Sequence, residues 1–136
     1  MDPIEFLNLA KELNSGTTQS PAVEPKLRTA VSRAYYYVFL KIQQTLTKLG
    51  QPFYKGRDTH KQVIDCLYMD ISTSPIAIRL DSLRKKRNEA DYDIDSSSYL
   101  YGTDKATVAI SEAELLSNDF ESIDKNNLIG KIRNVP

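Results

Sequence analysis

Residues 74–94 read SPIAIRLDSLRKKRNEADYDI, and how this stretch is read decides the architecture. Ser74-Pro75 is a helix start, because a proline at the first helical position gives up only an amide hydrogen that has no partner there anyway. At 100 degrees per residue, Ile76, Leu80, Leu83, Arg87, Ala90 and Ile94 fall within about 40 degrees of one line. Arg87 therefore stands in the middle of an apolar stripe, where an unpaired guanidinium costs several kcal/mol if buried. Asp91, one turn on, is its plain structural partner. The alternative is that the stripe opens here into a groove in which Arg87 meets a phosphate. Arg79, Arg84, Lys85 and Lys86 precede it. Lys85 and Lys86 point away from the stripe and read as a solvated face, whereas Arg84 and Asn88 lie on the flank nearest Asp91 and line the same groove. Tyr92 lies about 140 degrees around the helix from Arg87, so the two side chains do not meet within one straight segment.

The rest of the chain is punctuated in the same helical manner, with almost no alternating strand pattern. Asp2-Pro3-Ile4-Glu5 is an N-cap, a first-turn proline and a glutamate reaching back, followed by an apolar stripe of Ile4, Leu7, Ala10 and Leu13. NSGTTQSPAVEP is a polar connection that releases a second helix over Glu24 to Lys48, with Leu27, Val31, Ala34, Val38, Ile42 and Leu49 as its seam. Around Tyr35, Tyr36, Tyr37 and Phe39 apolar character spreads around the circumference, so this level is expected to be covered on several sides, by a second chain if need be. Gly50, Pro52 and Gly56 break the chain. Thr59-His60-Lys61-Gln62 reads as a capping box that opens a third helix through Val63, Ile64, Leu67 and Tyr68. After the link DSSSYLYGT, a fifth helix runs from Asp104 to Ile123. The expectation is one all-α domain over 1–136, an up-and-down bundle of about five helices: an N-terminal helix and linker (1–23), a helical core (24–124) and a loosely held tail (125–136).

Bulk properties exclude several function classes. The 136 residues carry 18 basic and 18 acidic side chains, a formal net charge of zero, so any polyanion site must be a local patch. One cysteine, Cys66, allows no internal disulfide and fits a reducing cytoplasm. The acidic start and the absence of a long apolar run argue against export and against membrane insertion. One histidine and one cysteine make no metal site, and no cofactor is expected. His60, directly after Thr59, reads as a surface or cap-adjacent residue.

Two strings carry a resemblance. RNEADYD at 87–93, together with SRAYYYVFL at 32–40 on the long second helix, resembles the HEPN family (higher eukaryotes and prokaryotes nucleotide-binding), in particular its small prokaryotic members. The resemblance covers most of the chain from Leu27 to the fifth helix. It implies a bundle that forms a homodimer with a shared basic cleft, and a metal-independent endoribonuclease that acts as a toxin or defence component. The family motif is an arginine followed after four to six residues by a histidine. Arg87 matches the arginine and Asn88 the polar residue beside it, but Tyr92 occupies the histidine position. Histidine suits proton transfer near neutral pH, whereas tyrosine is a poor base there. The resemblance thus implies catalytic roles for Arg87, Asp91 and Tyr92, with Arg84, Asn88 and Arg33 binding RNA or nucleotide. It also implies a second reading: an inactive accessory subunit paired with a minimal nucleotidyltransferase as antitoxin, in which Tyr92, Tyr99 or Tyr101 accepts an adenylyl group.

Overall fold

The computed structural model describes residues 1–15, 23–92 and 103–133, and these form six helices. They are α1 (Ile4–Ser15), α2 (Val23–Lys48), α3 (Thr59–Leu67), α4 (Ser74–Tyr92), α5 (Thr103–Ser122) and α6 (Asn126–Arg133). No strand occurs among the described residues, so the chain is an all-α bundle as its periodicity requires. Ile94, the end of the α4 stripe, and the tyrosine-bearing link that follows lie outside the described residues.

α2 is the axis of the bundle and packs against α1, α3, α4 and α5. Its seam residues Leu27, Val31, Ala34, Val38 and Ile42 are all buried. So are Tyr35, Tyr37 and Phe39, which point in other directions. Their burial is achieved within one chain, so no second chain is needed to cover the middle of α2. The Tyr37 hydroxyl, lodged in the interior, donates to Ser117 Oγ of α5 at 3.2 Å, which satisfies the polar end of a ring placed for its apolar body.

Local chemistry sets the helix ends. Asp2 Oδ1 accepts the Ile4 amide at 3.0 Å, as the N-cap pattern requires. At the other end of α2, Gly50 takes a φ of +106°, Gly50 N–H donates to Thr47 O and Gln51 N–H donates to Leu46 O, the paired bonds of a glycine-terminated helix. The start of α3 differs by one residue from the expected capping box. Asp58 is the cap, its carboxylate accepting the Lys61 amide at 3.2 Å, and Thr59 is the first helical residue. Gln62 turns outward instead and brackets Tyr54 through that residue's amide and carbonyl, fixing the approach to α3. Between α3 and α4, Thr73 Oγ1 donates to Leu67 O at 2.6 Å and Ser74 Oγ donates to Asp70 O at 2.9 Å, so the turn's own side chains satisfy its carbonyls.

The tail is the main departure from the sequence expectation. Residues 126–133 are not loosely held: they form α6, with Leu128 and Ile132 buried in the common core. Lys131 Nζ meets the Asp70 carboxylate at 2.8 Å, tying α6 to the α3–α4 turn. The bonds from Lys131 and Ser72 hold the Asp70 carboxyl down at about 2. Two anchors four residues apart on a short helix are a weak sequence signal, because eight residues seldom hold a helix without tertiary packing.

Leu128→Ala removes a wholly buried side chain and should destabilise the protein by about 3 kcal/mol. Urea unfolding checks this as a lower midpoint at unchanged slope. A change of only a few tenths of a kcal/mol would mean that α6 contributes nothing to the core.

Candidate functional site: a buried guanidinium among aromatic rings

On α4, the stripe Ile76, Leu80, Leu83, Arg87 and Ala90 is buried as its spacing demands, and Arg87 retains only 8% of its surface. The guanidinium lies over two rings of α2, 5.5 Å from the centroid of Tyr35 and 5.3 Å from that of Tyr36. A desolvated cation over an aromatic face gains about 2 kcal/mol, part of what burial costs. Its carboxylate partner is less effective. Arg87 Nη1 reaches Asp91 Oδ2 at 3.4 Å, a long contact, and the same oxygen accepts from Ser32 Oγ at 3.4 Å. Arg87 Nε is buried with no acceptor. Asp91 therefore compensates Arg87 only in part, and a buried cation is left with unused donors.

Arg84, one turn earlier, repeats the arrangement. Its Nη2 donates to Asp58 Oδ2 at 2.9 Å, which joins α4 to the cap of α3, while its Nε is also buried without an acceptor. The amide of Lys61, and then Arg84, hold the Asp58 carboxyl below its ordinary value.

The contact between Arg84 and Asp58 brings in the residue that sequence reasoning set aside. His60 is not a surface residue of an isolated helix start. Its ring stacks on Phe39 with centroids 4.2 Å apart, lies 5.6 Å from Tyr35 and meets Tyr36 edge-on at 6.2 Å. Nδ1 sits 2.5 Å from the Tyr35 hydroxyl. Nε2 has no protein partner among the described residues. Burial pushes the imidazole below its ordinary pKa, and the positive charges of Arg84 and Arg87 push it further, against the smaller opposing pull of Asp58. Burial likewise pushes the Tyr35 phenol up. The resting pair is thus a neutral imidazole and a neutral phenol, with the hydroxyl donating to Nδ1 and the ring proton on Nε2.

The remaining sequence candidates divide. Arg33 joins the cluster from its edge, 5.7 Å from the Phe6 ring of α1 and 5.9 Å from the Tyr36 ring. Asn88 is exposed on the outer side of α4. Tyr92 is 74% exposed at the end of α4, away from Arg87 as the helical angle requires. Tyr99 and Tyr101 lie outside the described residues. One chain therefore unites Arg87, Asp91 and Arg84 with His60 and Tyr35, and leaves Tyr92 apart. The signal for His60 was present in the spacing of Tyr35 and Phe39, four residues apart on one face of α2, but nothing in a single sequence says which residue of a distant helix stacks on that face.

His60 should lower stability in acid. A group that is harder to protonate in the folded chain than in the unfolded one lets the unfolded state bind more protons as the pH drops below about 6.5. Stability is then fully present above that pH and falls beneath it. Urea midpoints measured from pH 8 to pH 5 should decline more steeply for the native chain than for His60→Gln, and parallel profiles would show that the imidazole is not depressed.

An uncharacterized protein of Methanocaldococcus jannaschii is 33% identical over 112 residues, 68% of this chain and 61% of that protein. The chain thus spans about three-fifths of that relative's length. No protein-family model and no solved structure matches the chain.

Proposed function

We propose that this protein is a HEPN-like, RNA-directed protein, a divergent metal-independent endoribonuclease of a toxin or defence system, whose Arg87 site receives a backbone phosphate. The observation that carries the reading is the under-satisfied buried guanidinium. A structural salt bridge has no need of two neighbouring arginines whose Nε atoms both lack acceptors beside a neutral imidazole. A phosphodiester supplies the missing acceptors and the opposing charge. Arg87 and Arg84 hold that charge, and hold it more tightly in a trigonal-bipyramidal transition state than in the resting diester. Arg33 and the half-buried Tyr36 ring form the flank on which an adjoining base stacks. In a homodimer of the HEPN kind, the exposed Tyr92 of each chain extends the cleft of its mate.

The exposure of Tyr92 also favours a second reading, that of an accessory subunit paired with a minimal nucleotidyltransferase. There the Tyr92 phenol oxygen attacks the α-phosphorus of a nucleoside triphosphate, its proton leaves to solvent and pyrophosphate departs. Intact mass after co-expression with such a partner separates the readings, since only the second adds one nucleotidyl group, lost in Tyr92→Phe.

Labelled single-stranded RNA incubated with purified protein in a chelator should be bound or cut, and Arg87→Ala should reduce the effect by about 100-fold. Lys85→Ala, on the exposed face of α4, should leave it nearly unchanged. RNA neither retarded nor cleaved by the native protein would overturn the proposal.

A further inference from the structure

We infer that His60, steadied by Tyr35, makes the Arg84–Arg87 site a proton-coupled anion site: as a phosphodiester settles between the guanidiniums, the imidazole takes up a proton and presents it beside the bound phosphate. The inference rests on the proposed phosphate site and names the proton donor for it, a part that Tyr92 on the far side of α4 does not fill.

Geometry supports it first. His60 is fixed on three sides, by stacking on Phe39, by the edge of Tyr36 and by the Tyr35 hydroxyl at Nδ1, so that Nε2 is the edge left without a protein partner among the described residues. The Tyr35 hydroxyl is amphoteric and turns about its C–O bond. Donating to Nδ1, it sustains the neutral ring with Nε2–H; accepting from Nδ1–H, it sustains the imidazolium. One partner thus serves both protonation states, as an orienting group in proton transfer must.

Charge supports it second. The groups that face the ring are Arg84 and Arg87 of α4, Asp58 at the cap of α3, and Tyr35 and Tyr36 of α2. Asp91 stands behind Arg87, and Arg33 stands beyond Tyr36. Burial, and then two cations against one near carboxylate, keep the ring neutral in the free protein. An anion bound by those cations cancels their field at the ring and adds an attraction for the imidazolium, so binding and protonation promote each other.

The test uses the fact that the chain has one histidine, whose ring protons are therefore assigned without ambiguity. The probe is dimethyl phosphate, a diester that stays monoanionic across the range and is not cleaved, so the outcome is independent of ribonuclease activity. In chloride alone the His60 midpoint should lie below 6.5, and saturating diester should raise it by about one unit, with binding about tenfold tighter at acid than at neutral pH. Arg87→Gln and Arg84→Gln should each shrink the rise. Tyr35→Phe, which keeps the ring stack, should lower the imidazolium's stability in the bound state and shrink it too, while His60→Gln should bind the diester with no pH dependence between pH 5 and pH 7.5. A midpoint unmoved by saturating diester, or an undiminished pH dependence in His60→Gln, overturns the inference. A raised midpoint in a protein that neither binds nor cuts RNA supports the inference and defeats the RNA reading alone.

Discussion

The placement of the Arg87 guanidinium against the Tyr35 and Tyr36 rings is the constraint on which the rest of the structure turns. A cation in an apolar stripe must be offset wherever the stripe is buried, and the stripe of α4 is buried from Ile76 to Ala90. The rings supply their faces, Asp91 supplies a distant carboxylate, and α2 and α4 are thereby held in one register at this level. Arg28 reinforces the register, donating to the carbonyls of Glu89 and Ala90 near the end of α4 at 3.1 and 3.0 Å. These contacts satisfy carbonyls that a helix end leaves open, and they place a cation where the helix dipole favours one.

Around this level the bundle is braced by charge on its outside and by packing within. Ion pairs run between neighbouring helices, Lys11 with Glu114, Lys41 with Glu121, Arg79 with Asp119 and Lys86 with Glu112. Each is partly exposed and contributes little by itself, so the stability comes from the interior they border. The equal numbers of acidic and basic residues are thus spent largely on one another. Arg84 and Arg87 differ from these pairs, because their partners leave a buried Nε donor unused on each. The unmatched positive charge of this protein is thus a local surplus inside a molecule of zero formal net charge.

The aromatic string of α2 links packing to chemistry. Tyr37 faces α5, where its hydroxyl donates to Ser117 Oγ. Tyr35 and Phe39, four residues apart on another face, form the floor on which His60 rests. Burial that serves the core also depresses the imidazole and keeps the phenol protonated, so the packing that stabilises the fold sets the protonation of His60 and Tyr35. Asp58 ties the two together, capping α3 with one oxygen and holding Arg84 with the other.

The sequence by itself determined the helical class, the starts of the first five helices to within a residue, the buried face of α4 and the anomaly of Arg87, because a 3.6-residue period and the cap and stop residues are local properties of the chain. It pointed to Arg84 and Asp91 for the same reason, since both lie within one turn of Arg87. The tertiary structure alone decided three things. It made α6 a helix, because eight residues need an external surface to pack on. It covered the middle of α2 from within one chain, because the number of neighbours around a helix is not written in its own periodicity. It brought His60 to Tyr35, 25 residues away, because a stacking contact between helices depends on where the intervening turn delivers the ring.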